Sequence, residues 1–296
     1  MHDGLVVVDK PAGWTSHDVV GKLRKVYGQR KVGHAGTLDP DATGVLLVGL
    51  GRATRLLRYL QEQGKAYRGR VKFGIATTTL DAAGEIVDQR PMHVTRDEVV
   101  GAMPAFVGDI LQLPPMVSAV KIGGRRLHEI ARKGEEVERQ LRPVHVDVFA
   151  LEDFTEGPYP EAEVLVECGS GTYVRTLAAD LGESLGGFAH LMELRRLRVG
   201  SFSLDEVRSL EAIEADPLAA VVPLAEAMRD LERVDVDAET ARGIAHGLSF
   251  APGTLAIAGD GPFALVGEQG DLLAVYERRG AGCKPAVVVA PAGQES

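Results

Sequence analysis

The twelve residues GHAGTLDPDATG, positions 33–44, constrain this chain more tightly than any other stretch. Pro40 removes a backbone donor and pushes Asp39 into extended geometry, which excludes a helix interior. Gly33, Gly36 and Gly44 let the backbone come close to whatever lies beside it. The segment therefore reads as a loop, and it runs straight into VLLVGLG, a short apolar run of the kind that makes a buried strand. A surface loop accepts this composition. A site that aims one carboxylate at a closely held ligand requires it.

The pattern around that loop mixes strands and helices without a regular βαβ cadence, which points to an α+β fold. GLVVVDKP reads as a buried strand ended by proline, and TSHDVVGKLRKVY as a helix with Thr15 or Ser16 at its N-cap. RATRLLRYL reads as a short basic helix. In KAYRGRVKFGI, Tyr67, Gly69, Val71, Phe73 and Ile75 alternate with Arg68, Arg70 and Lys72, so one strand carries an apolar face and a basic face. Capping boxes are expected at Thr95/Glu98 and at Ser203/Glu206.

Residues 90–143 read as an insertion, with a Pro-Pro turn, a strand and a basic helix. HVDVFALEDF, AEVLVECGSG and ELRRLRVGSF read as strands, and TYVRTLAADLGESLGG as a helix with Thr172 near its start. After residue 230 comes a short helix in DAETARGIAHGL, then short strands between Gly-rich turns. The expectation is a catalytic domain over 1–230 and a small β-rich domain over 231–296.

The net charge of −9 is unevenly spread. From Ser201 onward there are 16 acidic and 7 basic residues, so the first 200 residues are balanced. Positions 22–70 hold 11 Lys or Arg against Asp39, Asp41 and Glu62, and further basic clusters run over 121–142 and at RRLR, 195–198. Clustered positive charge on a balanced chain is the expected footprint of a polyanion, although any one cluster reads equally as a solvated face.

Other features narrow the class. The apolar run in MHDGLVVVDK is too short for a signal peptide or a membrane span, so a cytoplasmic protein without membrane attachment is expected. Cys168 and Cys283 make no CxxC pair and read as buried structural residues. The histidines lack metal-ligand spacing, so no metal is expected. VLLVGLGRAT imitates a dinucleotide-binding turn, but Thr54 stands where the third glycine belongs.

The chemistry available to Asp39 follows from its type. A carboxylate is ionised at neutral pH and serves as a nucleophile without a partner base. In a partly dry pocket it needs a charge partner, and the planar fork of arginine grips a carboxylate bidentately. Asp41, two residues on, points away in an extended loop, which disfavours a glycosidase-type pair. On local residues alone, an Asx-turn role is the simpler reading of Asp39.

Several long motifs shift that reading. DKPAGWTSHDVV, KVGHAGTLDPDATGVLLVGLGRATR, KAYRGRVKFG, PPMVSAVKIGGRRLHEIARKGEEVERQLRP, GTYVRTLAADLG and AHLMELRRL follow in order from residue 4 to near residue 200. Together they resemble the tRNA pseudouridine-55 synthase family (TruB type). The resemblance implies a mixed sheet flanked by helices, an RNA-binding insertion and a PUA-like C-terminal domain. It also implies isomerisation of uridine-55 in the T-stem-loop of tRNA, by a monomer with no cofactor.

Carried over residue by residue, Asp39 falls on the catalytic aspartate of the family's GxLDPxATG motif, and Arg175 of GTYVRT on the arginine paired with it. Tyr67 of KAYRG falls on the tyrosine that stacks on the target base and is a candidate for taking the proton from C5. Asp81 matches a second acid that holds the arginine. His34 matches a histidine that fills space beside the extruded nucleotide, while Tyr173 and Leu194 match the lining of the uracil pocket. Lys10 and Pro11 match a Lys-Pro pair that buttresses the site. The family often reads TDTxDAxG where this chain has Thr77-Thr78-Thr79-Leu80-Asp81, so the first acid is missing and Asp81 is kept.

The implied reaction extrudes the base, since a uracil stacked in an RNA loop is out of reach. Asp39 then attacks C1′ of the ribose or C6 of the base. A tRNA-binding or tRNA-folding protein would need the basic clusters but not the set Asp39, Arg175 and Tyr67. A nicotinamide-dependent oxidoreductase, resting on VGLG, would carry bound NAD.

Overall fold

The computed structural model describes residues 2–118, 121–122, 125–126, 137–255, 257 and 259–289. The chain opens with β1 (Gly4–Lys10), α1 (Ser16–Val26), β2 (Val32–Ala35), β3 (Thr43–Leu50) and α2 (Leu57–Glu62). It continues through β4 (Lys65–Phe73), β5 (Ile75–Thr77), β6 (Ile86–Gln89), α3 (Arg96–Ala102) and β7 (Gly108–Gln112). Next come the short strands β8 (Lys121–Ile122) and β9 (Arg125–Arg126), then β10 (Arg142–Thr155), β11 (Glu161–Cys168), α4 (Val174–Ser184) and β12 (Ala189–Val199). The last third holds β13 (Phe202–Ser203), α5 (Leu210–Ala215), α6 (Leu224–Ala227), β14 (Glu232–Asp235), α7 (Ala238–Ala245), β15 (Phe263–Val266), β16 (Leu272–Arg279) and β17 (Gly282–Val288). This is the α+β mixture of sheets and helices that the sequence pattern implied.

The chain divides into two compact units. The first comprises Met1–Pro40, Val45–Gln61 and Gly200–Ser296, and the second Asp41–Gly44 and Glu62–Val199. In the first, β1 lies beside β3, and β2 folds antiparallel onto β3 with His34 opposite Val48. Leu5 and Val222 exchange backbone hydrogen bonds (2.9 and 2.7 Å), which ties β1 to the chain before α6. Val6, Val8, Val19, Val20, Leu23, Leu46 and Val48 bury their side chains together with Leu210 and Ile213. A separate four-stranded sheet, in the order β14-β15-β16-β17, carries its own core around Phe263, Leu265, Ala274 and Tyr276.

The second unit is built on the strand order β12-β4-β11-β10-β7, antiparallel throughout. On β4 the odd positions from Lys65 to Phe73 are buried, which is the alternation read from KAYRGRVKF. The first two residues of β3, Thr43 and Gly44, run parallel to Arg195 and Arg196 of β12. Gly44 has φ +99°, and a Cβ there would lie 2.2 Å from the Arg196 carbonyl oxygen. Only glycine fits that approach.

Thr95 and Glu98 form the expected capping box on α3. Ser203 and Glu206 do not. Both Glu206 oxygens accept from Arg229 (2.7 and 2.8 Å), and the next helix begins later, at α5, with Ser209 as its cap (3.2 Å to the Ala212 amide). Within the expected insertion, α3 precedes β7, which pairs with β10, and β8 pairs with β9. The basic helix expected there lies outside the described residues.

Candidate active site

In the first unit the loop after β2 carries Asp39, and both of its sequence neighbours are fastened. The Ser16 hydroxyl donates to the Leu38 carbonyl (3.1 Å) and accepts from the Leu38 amide (2.9 Å). The Pro40 carbonyl accepts from Lys10 Nζ (2.8 Å) and from the Gly13 amide (3.0 Å). Lys10 is fully buried and donates also to the carbonyls of Pro11 (3.0 Å) and Trp14 (2.5 Å). An ammonium held by carbonyl dipoles in a dry place is a bracket for the loop rather than a surface charge. Asp39 is half-buried, and Asp41 is exposed. Gly36, at φ +87°, turns the chain into the loop, whereas Gly33 sits in β2 in ordinary geometry against Leu57.

The sequence left Thr15 and Ser16 as alternative caps for α1. Thr15 takes the cap, with Asp18 completing the box (3.0 and 2.9 Å), and Ser16 is thereby released to hold Leu38. Sequence reasoning missed that second role. Two hydroxyls in succession, where a helix start uses one, were the available signal.

The second unit holds Tyr67, Asp81, Tyr173, Arg175 and Leu194. Arg175 stands in the first turn of α4 and is only 5% exposed. Its Nη1 donates to Asp81 Oδ2 and to the Thr79 carbonyl (both 3.1 Å), and its Nη2 donates to the Val117 carbonyl (2.9 Å). Asp81 Oδ1 in turn accepts from the Thr79 hydroxyl (2.5 Å) and the Ala83 amide (3.2 Å). Ahead of α4, the Tyr173 backbone is gripped by the side chain of buried Gln112, which accepts from its amide (2.9 Å) and donates to its carbonyl (3.2 Å). Gln112 is a further residue the sequence reading missed, because nothing near it in the chain signals its partner.

Thr78, at the position of the missing acid, accepts from the Glu85 amide (3.1 Å) and closes the 78–85 turn. Leu80 within that turn has φ +63°, a strained conformation for a non-glycine residue. Tyr67 lies buried on β4 opposite Arg196 of β12, and Leu194 lies opposite Gly69. Lys10, His34 and Asp39 thus belong to one unit, and the other five candidate residues to the second.

The basic clusters require correction. On the outer face of β4, Arg68 pairs with Glu152 (2.5 and 3.1 Å), Arg70 with Glu193 (3.3 Å) and Glu163 (3.6 Å), and Lys72 with Glu161 (2.8 Å). In the first unit Lys22, Arg52 and Arg58 pair with Glu214, Asp3 and Glu277. In RRLR, Arg198 bonds Glu167 (2.9 Å), Arg195 bonds Thr43 (3.2 Å), and Arg196 is 1% exposed. Part of the apparent polyanion footprint is therefore paired with acids far away in sequence, and Arg196 is buried. The dinucleotide imitation fails likewise: Asp3 Oδ1 accepts from the Arg52 amide (2.5 Å) where a phosphate would have to sit.

Comparison with known proteins gives consistent matches. The profile of the TruB family pseudouridylate synthase (N terminal domain) matches residues 24–174, and that of the tRNA pseudouridylate synthase B C-terminal domain matches residues 175–236. A tRNA pseudouridine synthase B of Thermobifida fusca (strain YX) is 44% identical over 98% of this chain and 99% of its own length. One of Symbiobacterium thermophilum is 49% identical over 84% of this chain and 83% of its own. A chain in the crystal structure of a Cbf5-Nop10-Gar1 complex superposes with a TM-score of 0.76 at 27% identity, covering 97% of this chain and 85% of that one.

Proposed function

The chain belongs to the TruB family of pseudouridylate synthases and is an isomerase that forms pseudouridine in tRNA, and we propose that its target is uridine-55 in the T-stem-loop. In this reading Asp39 is the nucleophile, Arg175 is the charge partner that keeps it ionised, and Tyr67 stacks on the extruded base. His34 fills space beside the extruded nucleotide, while Tyr173 and Leu194 line the uracil pocket. No cofactor takes part. The assignment of a catalytic domain to 1–230 and of an RNA-contacting module to 231–296 belongs to the same proposal, as does a cytoplasmic monomer.

The observation that carries the reading is the fastening of Leu38 and Pro40 on either side of Asp39. A turn residue that merely closes a loop needs no such frame, whereas a nucleophile must be held near its attack geometry before substrate arrives. Extrusion of the base costs a few kcal/mol, which stacking and phosphate contacts offset. The bond from N1 to C1′ then breaks, the base turns, and C5 bonds to C1′. The Asp39 adduct is released, the C5 proton passes to a base for which Tyr67 is the candidate, and N1 takes up a proton. Water must be kept from the sugar meanwhile.

The test is tritium release from a T-stem-loop RNA carrying 5-tritiated uridine, with wild type and Asp39→Asn and no added cofactor. Release by wild type alone, with both proteins binding the RNA, is the expected result. Binding without release by wild type would leave an RNA-binding protein or a different target uridine.

A further inference from the structure

Lys65, Tyr67 and Gly69 occupy one face of β4, alternating with exposed Arg68 and half-buried Arg70. On β12, Arg196 stands opposite Tyr67 and Leu194 opposite Gly69, so the five residues share that face. Residues paired in this way hold their Cβ atoms about 5 Å apart. Gly69 leaves little room, since a Cβ there would lie 3.0 Å from a Leu191 methyl, with a Leu194 methyl in ordinary contact at 3.6 Å. Arg196 is the largest fully buried side chain among the described residues, and Lys65 is 8% exposed. Lys65 is faced by Arg196 from β12 and by Cys168 from β11, and its Nζ donates to the Gln63 carbonyl (2.6 Å). Burial, then the Arg196 charge, bring the Lys65 ammonium down to about 8, while burial pushes the Cys168 thiol up to about 11. Two cations on one dry face run against the ordinary preference of charge for water.

We propose that Arg196 and Lys65 form a positive floor beside Tyr67 and Leu194 that stabilises negative charge on the uracil during isomerisation. The inference rests on the pseudouridylation reading above and adds two residues to it. When the N1–C1′ bond breaks, its electron pair leaves with N1 and spreads to O2 and O4, while an Asp39 oxygen bonds C1′. If C6 is attacked instead, the Asp39 oxygen bonds C6 and the π pair moves through C5 and C4 onto O4. Both routes transfer one negative charge from the aspartate to the base. Fixed cations in a water-poor site favour that transfer without reorganising at the moment of reaction. Arg196 is a permanent cation, and Lys65 is a titratable one.

Single-turnover rates and RNA affinity should be measured for wild type, Arg196→Gln, Arg196→Lys, Lys65→Gln and Lys65→Arg across pH 6.5 to 9.5. The expected result is a rate for Arg196→Gln lower by about 10²-fold at unchanged RNA affinity, with Arg196→Lys recovering most of it. In wild type the rate should fall as Lys65 loses its proton near pH 8. Lys65→Arg should remove that alkaline fall, and Lys65→Gln should be slow throughout. The Lys65→Arg profile stays decisive even where Arg196→Gln does not fold. An alkaline limb identical in wild type and Lys65→Arg overturns the proposal, as does a wild-type rate in folded Arg196→Gln. Failure of the pseudouridylation reading looks different: wild type itself then releases no tritium.

Discussion

One hydroxyl, that of Ser16, bonds both polar groups of the Leu38 backbone, at 3.1 Å to the carbonyl and 2.9 Å to the amide. Ser16 and Leu38 are 2% and 3% exposed, so no water replaces those bonds. Replacing Ser16 by alanine should therefore cost about 1–3 kcal/mol of stability, the penalty for buried polar groups left unpaired. It should also slow turnover by about 10²-fold, the scale of a 1 Å misplacement at a reacting group.

The neighbouring hydroxyl supplies the control. Thr15→Ala removes the cap of α1 at a cost of about 1 kcal/mol and leaves Leu38 untouched. Thermal melts and tritium-release rates for the two variants should agree in showing destabilisation and disagree in rate. Equal rates for Ser16→Ala and Thr15→Ala would mean that the frame around Asp39 has no bearing on catalysis.

Arg175 donates from two nitrogens to acceptors in separate segments, Asp81 with Thr79 on one side and Val117 on the other. A lysine has one charged nitrogen and cannot span them. Arg175→Lys should accordingly lose about 10²-fold in turnover despite keeping its charge. Asp81→Asn keeps an acceptor for Nη1 and should lose less. A rate for Arg175→Lys near wild type would remove the geometric argument for the fork.

The outer face of β4 makes a prediction about RNA. Arg68, Arg70 and Lys72 each bond a carboxylate, so changing all three to glutamine should leave the salt dependence of tRNA binding unchanged. Lys25, Arg30 and Lys31 are exposed, and changing them to glutamine should flatten the slope of log K against log salt by about one for each phosphate no longer neutralised. A flatter slope in the β4 triple variant would show that those ion pairs open to meet phosphate.

That face also marks the limit of what was legible in the sequence. Alternation in KAYRGRVKF identified a strand and its two faces, because the period of two is local. The partners of its cations were invisible, since Glu152, Glu161, Glu163 and Glu193 are brought alongside by the strand order β12-β4-β11-β10. Arg196 was misread for the same reason: RRLR is a basic cluster as a string, but the register against Tyr67 sends its second arginine inward. The Asp39 loop was legible through Pro40 and its glycines, the start of α3 through its capping box at Thr95, and the start of α1 only as far as a choice between Thr15 and Ser16. Ser203 with Glu206 carries the same local signature and yet makes no helix: the Ser203 hydroxyl accepts from the Asp205 amide (3.3 Å) instead of the Glu206 amide, and Arg229 shares the Glu206 carboxylate.

His190 sets the expected acid limit of stability. It is 5% exposed, and its Nδ1–H donates to the Ile75 carbonyl (3.1 Å). Burial, partly offset by that carbonyl, holds its pKa below the ordinary 6.5. The unfolded chain therefore binds a proton at a pH where the folded one does not, so stability rises with pH across that window. The contribution is complete above pH 6.5 and shrinks as the pH falls below it. Melting temperatures of wild type and His190→Asn should be compared at about pH 7.5 and about pH 5.5, on either side of the ordinary histidine pKa. Asparagine has no comparable titration, so the variant should lose less on acidification than wild type does. Parallel losses in the two proteins would assign the acid sensitivity to the carboxylates instead.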